Sequence, residues 1–146
     1  MDVTENGAKI LQNFNIESGN YTSAGEAAEQ IKKTLKQLGV DAALVRKIAI
    51  ASYEVEMNLV IHAYGGNLTF EINPKEVSII SQDEGPGIED IELAMVEGYS
   101  TAPDTARELG FGAGMGLANM RRCSDRFNIH SEVGVGTRVE MIFDLK

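Results

Sequence analysis

One helical pattern spans residues 41–64, and a stretch of that length with a single apolar side constrains the fold more than any other feature. Asp41 has the character of an N-cap, Val45, Ile48, Ser52, Val55 and Leu59 recur at helical intervals, and Gly65-Gly66 closes the run. The apolar stripe must be covered by a second layer. On the C-terminal half, a spacing of four sets Glu54 and Asn58 on one face with His62 a further turn along, while Val55, Leu59 and Val60 supply the apolar side. A carboxylate beside a carboxamide suits a proton acceptor next to a hard, uncharged Mg²⁺ ligand. It also suits an ordinary solvated helix face, so the pair needs support from the rest of the chain.

Residues 8–16 alternate, with Ile10, Phe14 and Ile16 on one parity and Lys9 and Asn15 on the other, which predicts a half-buried strand behind a frayed 1–7. Ser23-Ala24-Gly25-Glu26 has capping-box spacing, and Ala27, Ile31, Leu35 and Leu38 predict a helix stopped by Gly39. Beyond the long helix, 68–72 and 77–82 are rich in β-branched and aromatic residues and are joined by Asn73-Pro74-Lys75-Glu76, the pattern of a hairpin. Its second strand runs into Asp83-Glu84-Gly85-Pro86-Gly87-Ile88, where two glycines let the backbone bend and approach a ligand. A short helix is expected over 90–97. Segment 98–116, with Gly98, Pro103, Gly110, Gly112, Gly114 and Gly116, reads as a functional lid that feeds a helix bearing Leu117 and Met120. Residues 127–133, the turn Gly134-Val135-Gly136, and 137–143 with Val139, Met141 and Phe143 on one parity close the chain as a second hairpin. There is no internal repeat, and 1–146 reads as one domain.

A net charge of −9 argues against nucleic acid as a direct partner, because phosphate backbones are bound by clustered Lys and Arg. Cys123 is the single cysteine, so neither an intrachain disulfide nor a thiolate cluster is available, and beside Arg121 and Arg122 it reads as a packing residue rather than a nucleophile. The N-terminus has no basic segment followed by an apolar run, and no stretch has membrane length, so a cytoplasmic protein with no membrane partner is expected.

The glycine cluster permits three nucleotide-binding comparisons. A dinucleotide fingerprint needs a strand directly before it and a β-α-β unit around it, whereas here a loop precedes and a hairpin follows. A Walker P-loop needs Gly-Lys-Ser/Thr, and an ordinary protein kinase needs its strand lysine and catalytic-loop signatures; neither is present. A glycine-rich segment whose amides, with the positive end of the next helix, wrap a phosphate chain remains open beside a merely flexible loop.

Glu54-x-x-x-Asn58 on a helix, Asp83-x-Gly85-x-Gly87 after a strand, and Gly110-x-Gly112-x-Gly114-x-Gly116 at the lid end together resemble the N, G1 and G2 boxes of the GHKL (Bergerat-fold) ATP-binding superfamily. Their order and spacing agree, as does Gly136-Thr137, and the resemblance covers nearly all of the chain from Ser23 onward. The chain looks most like the free-standing anti-sigma-factor serine/threonine kinases and their stress-switch relatives, since there is no room for a transducer domain and no upstream hairpin with a phosphoacceptor histidine. One departure is Leu59, where the family commonly has Ala.

That resemblance implies a role for each matching residue. Asp83 would accept from the adenine amino group, supported by Thr137, with Gly85 and Gly87 keeping the backbone clear of the base. Asn58 would bind Mg²⁺ and Glu54 would take the proton of an incoming hydroxyl. Lid residues Gly110, Gly112, Ala113, Gly114, Met115, Gly116 and Leu117 would hold the phosphates. Arg107 would pair with the γ-phosphate or a partner, or is a lid cation without a special role; His62 would approach a phosphate or, preferably, cap the helix end; Ser100 and Thr101 would cap a lid turn or touch a phosphate.

The expectation is a two-layer α/β sandwich with helices on one face of a mixed, mostly antiparallel sheet, binding ATP and Mg²⁺. By resemblance it phosphorylates a serine or threonine of a STAS-domain anti-sigma-factor antagonist, with a sigma factor and a second copy of the chain as further partners. A regulator that uses ATP as a conformational ligand without turnover is the main alternative, and an ATP-hydrolysing part of a larger assembly a weaker one.

Overall fold

The computed structural model describes residues 9–61, 65–88, 90–96 and 116–145. In chain order these form β1 (Ile10–Ile16), α1 (Glu26–Gln37), α2 (Ala42–Ile61), β2 (Gly65–Ile72), β3 (Glu76–Glu84), α3 (Ile91–Ala94), α4 (Gly116–Cys123), β4 (Arg126–Glu132) and β5 (Gly136–Asp144). The strands make one sheet in the order β1-β2-β3-β5-β4. Each neighbouring pair is antiparallel, so the described sheet is not mixed as expected. The tight connections make β2–β3 and β4–β5 antiparallel, whereas β1–β2 and β3–β5 are joined through helices and are antiparallel all the same.

Helix α2 packs against β1, β2 and β3, α1 against α2, and α4 against both α2 and β4. The alternation of the strands decides what meets the helices. Leu68, Phe70 and Ile72 of β2, Val77 and Ile79 of β3, and Val139, Met141 and Phe143 of β5 form one cluster with Ile31, Leu35, Val45, Ile48, Val55, Leu59 and Met120 from the helices. Thr69, Glu71 and Ile80, on the other parity, are only partly covered.

Local chemistry sets the element ends. Asp41 Oδ2 accepts from the amides of Ala43 (3.1 Å) and Leu44 (3.3 Å), capping α2 as its position predicts. Asn73 Oδ1 accepts from Lys75 and Glu76 in the hairpin turn. Asp90 caps α3 through the Leu93 amide, but that helix ends at Ala94, short of the expected 90–97. The capping box at Ser23–Glu26 is not formed. The N-cap of α1 is Gly25, in the left-handed region at φ 98°, and no side chain of its own turn caps it. The amides of Gly25, Ala27 and Ala28 instead donate to the carboxylate of Glu56, on α2, a buried acceptor stronger than a partly exposed hydroxyl.

Phe70 has no exposed surface in this cluster, so Phe70→Ala is expected to cost about 3–5 kcal/mol through lost burial and a residual cavity. Urea unfolding followed by circular dichroism should show the midpoint falling accordingly.

Candidate functional site

Three close approaches assemble the site. The first lies between α2 and the start of α4. A Cβ placed on Gly116 would sit 3.3 Å from Glu54 Oε2 and 3.5 Å from Asn58 Oδ1, so both side chains reach the N-terminus of α4 from one face of α2. The spacing of four thus does what it predicts. The amide-rich end of α4 carries partial positive charge, which favours an anion placed there.

The second approach joins α2 to the sheet. Gly66 pairs with Asp83, and a Cβ there would lie 2.7 Å from Leu59 Cδ2 and 3.1 Å from Asp83 Cβ. Leu59, the departure from the family's usual Ala, is accommodated because Gly66 opposite it has no side chain. The third approach brings the start of β5 onto β3. A Cβ at Gly136 would strike the Asp83 carbonyl, and the Thr137 amide donates to Asp83 Oδ1 at 3.0 Å.

Around Asp83 the glycine segment is tied down. The Gly85 amide donates to the Val135 carbonyl, and the Gly134 amide donates to the Pro86 carbonyl. Gly87 has φ 76° and no room for a side chain against Glu132. Ser131, on β4, was not singled out in the sequence. Its hydroxyl accepts from the Ile88 amide at 2.8 Å, donates to the Gly136 carbonyl at 3.3 Å, and lies 2.8 Å from Thr137 Oγ1. Either hydroxyl of that pair can be the donor, and the Ser131 proton is shared between Thr137 and the Gly136 carbonyl as alternatives. No motif flags Ser131; only the pairing of Ser131 with Thr137 across β4 and β5 exposes it.

Asn119 is the other residue that spacing alone did not single out. It lies three residues after Gly116 in α4, its side chain hydrogen-bonds Glu54, and its Oδ1 accepts from Arg122 at 2.8 Å. The contact crosses from α4 to α2, so spacing within α4 gave no sign of it.

Both acids are half-buried and perturbed the same way. Desolvation raises the Glu54 carboxyl above its ordinary value, partly offset by the Asn119 hydrogen bond. Desolvation likewise raises Asp83, partly offset by the Thr137 amide. The Cys123 thiol is raised by burial and by the charge of Glu54 against the opposing effects of Arg122 and Lys47, consistent with a packing role.

Among the described residues no group of three or more His, Cys, Asp or Glu could hold a metal ion. A Mg²⁺ at Asn58 would therefore take its other ligands from phosphate oxygens and water, the usual habit of that ion at nucleotide sites. The half-buried Asn58 amide oxygen at the α4 terminus fits such a ligand. Leu117 is buried behind Gly116. His62, Ser100, Thr101, Arg107, Gly110, Gly112, Ala113, Gly114 and Met115 lie outside the described residues. No described helix is long and apolar enough to cross a membrane.

Residues 43–146 match the family described as histidine kinase-, DNA gyrase B-, and HSP90-like ATPases. The serine/threonine-protein kinase RsbT of Bacillus subtilis is 32% identical over 121 residues, covering 80% of this chain and 85% of that protein. The anti-sigma F factor of Clostridium novyi is 31% identical over 146 residues, 96% of each chain. A solved structure of the RsbU and RsbW domains of a Mycobacterium tuberculosis protein matches 90% of this chain and 32% of that longer one, with TM-score 0.60 and 16% identity, a likeness of fold.

The raised carboxyl of Glu54 has a consequence for stability. An acid whose pKa is higher folded than unfolded binds protons more readily when folded, so its contribution is best at low pH and declines as pH rises through the folded value. Glu54→Gln is therefore expected to melt a few degrees above wild type at pH 7, with the difference shrinking toward pH 4. Calorimetry across that range checks it.

Proposed function

Because the chain belongs to the histidine kinase-, DNA gyrase B-, and HSP90-like ATPase family, we propose that it is the switch kinase of an anti-sigma pathway, moving the γ-phosphoryl of ATP to a serine or threonine of a STAS-domain antagonist. Kinase and anti-sigma character come from relatives of similar length, the RsbT kinase and the anti-sigma F factors. The STAS substrate, Mg²⁺, a cytoplasmic location and the residue roles are the proposal's own.

The observation that carries it is the meeting of Glu54 and Asn58 at the N-terminus of α4. A pure nucleotide-gated binder has no use for a carboxylate held there. Asp83 presents Oδ2 to the adenine amino group while Oδ1 is held by the Thr137 amide, and the Thr137 hydroxyl, paired with that of Ser131, supports the same ring directly or through water. Phosphates extend toward Gly116, where amides and the α4 dipole receive negative charge. Bound at Asn58, Mg²⁺ would supply neutralisation of phosphate charge. The substrate hydroxyl oxygen bonds to the γ-phosphorus, the bond from that phosphorus to the ADP oxygen breaks, and the hydroxyl proton passes to Glu54. Asn119 holds the Glu54 carboxylate in place for that transfer.

Intact-mass spectrometry of STAS proteins from the same genome, incubated with Mg²⁺-ATP and a substoichiometric amount of this chain, tests the reading. One added phosphate is expected on one candidate, with the rate lowered about 10²–10⁴-fold in Glu54→Ala. ATP binding without transfer to any candidate would leave a nucleotide-gated binder instead. Since Glu54 acts as a base only when ionised and its carboxyl is raised, kcat should fall on the acid side at a pH above the ordinary carboxylate range, a limb absent from Glu54→Ala. Separately, Asp83→Asn turns one acceptor into a donor facing the adenine amino group and should weaken ATP binding at least about tenfold by calorimetry; unchanged affinity would remove Asp83 from the adenine site.

A further inference from the structure

Glu56 faces away from the site, yet it is 2% exposed and makes three hydrogen bonds to another helix. At about 100° per residue it stands about 200° around α2 from both Glu54 and Asn58. Oε2 accepts from the Gly25 amide at 2.9 Å and from the Ala27 amide at 3.3 Å, and Oε1 accepts from the Ala28 amide at 2.8 Å. Those are amides of the first turn of α1, which has no side-chain cap from its own turn.

The other contacts of α2 are mostly apolar: Val45, Ile48, Ala51, Val55 and Leu59. Apolar packing is weakly directional and tolerates small rotations of a helix about its axis. A buried carboxylate shared among three amides does not, because a small rotation strips it of donors where water cannot replace them. The same rotation would swing Glu54 and Asn58 off Gly116 on the far side.

We propose that Glu56 is a positioning residue for phosphoryl transfer: by seating its carboxylate on the N-terminus of α1, it sets the rotation of α2 that brings Glu54 and Asn58 to the start of α4. This rests on the reading of Glu54 as the base. Adenine recognition at Asp83 depends on the β3–β5 contacts and is not governed by Glu56.

The test compares Glu56→Gln, Glu56→Asp, Glu54→Ala and wild type, with kcat normalised to the number of ATP sites titrated. Glu56→Gln keeps shape but turns a donor toward amide donors; Glu56→Asp keeps charge and shortens the reach. With Mg²⁺ left out, so that Asn58 has no metal to hold, both are expected to bind ATP at full stoichiometry with affinity within about twofold of wild type, and with Mg²⁺ present both are expected to lose kcat by about tenfold or more. Their acid limb of kcat should also move toward the ordinary carboxylate range as Glu54 leaves its half-buried seat. Wild-type kcat and limb in either fully ATP-binding variant would overturn the proposal. So would a parallel loss of kcat and ATP sites in both variants, which would make Glu56 a general support of the fold. If Glu54→Ala transfers phosphate as fast as wild type, the base assignment fails first, and the two failures are thereby told apart.

Discussion

The orientation of α2 about its own axis is the constraint on which the rest of the site depends. Three contacts at different points of its circumference hold it: the Glu56 carboxylate on the first turn of α1, Leu59 against Gly66 and hence β3, and Glu54 with Asn58 against Gly116. Remove any one and the helix remains covered by apolar neighbours, but Glu54 and Asn58, the proposed base and metal ligand, lose their address. The hydrophobic layer supplies most of the folding free energy without being able to specify the last fraction of an ångström. Directional bonds and the absence of side chains at glycines supply that.

The second requirement is that charge be held ready where water is scarce. Asp83 and Glu54 are both half-buried with raised carboxyls, and each keeps one compensating hydrogen bond, from the Thr137 amide and the Asn119 side chain respectively. Desolvation of this kind lowers stability and strengthens every later interaction with a ligand. The Ser131–Thr137–Asp83 arrangement extends the logic, since the Thr137 amide holds Asp83 Oδ1 while its hydroxyl pairs with that of Ser131. On the proposed reading, the Asp83 carboxylate is the acceptor that a purine amino group needs.

Much of this was legible in the sequence because glycine positions and helical spacing are strong local signals. The strand parity of Leu68, Phe70, Ile72, Val139, Met141 and Phe143, the Asp41 cap and the Glu54/Asn58 pairing all stand where periodicity places them. The capping box at Ser23 was misleading because a distant carboxylate outcompetes a local hydroxyl, and nothing nearby announces Glu56. On α2 that glutamate falls between Val55 and Met57, all three buried, which periodicity alone reads as a break in the apolar stripe. Asn119 and Ser131 were missed for the same reason: each is defined by what it touches across another element.

The account's central claim is that one nucleotide spans from Asp83 to the α2–α4 junction. Solving the structure of the chain with a non-hydrolysable ATP analogue and Mg²⁺ tests it most directly. The expected result is Asp83 Oδ2 within hydrogen-bonding distance of the adenine amino nitrogen, with Asn58 Oδ1 bound to the metal and Glu54 unliganded beside the γ-phosphate. Adenine held elsewhere than at Asp83, or a metal coordinated without Asn58, would contradict it.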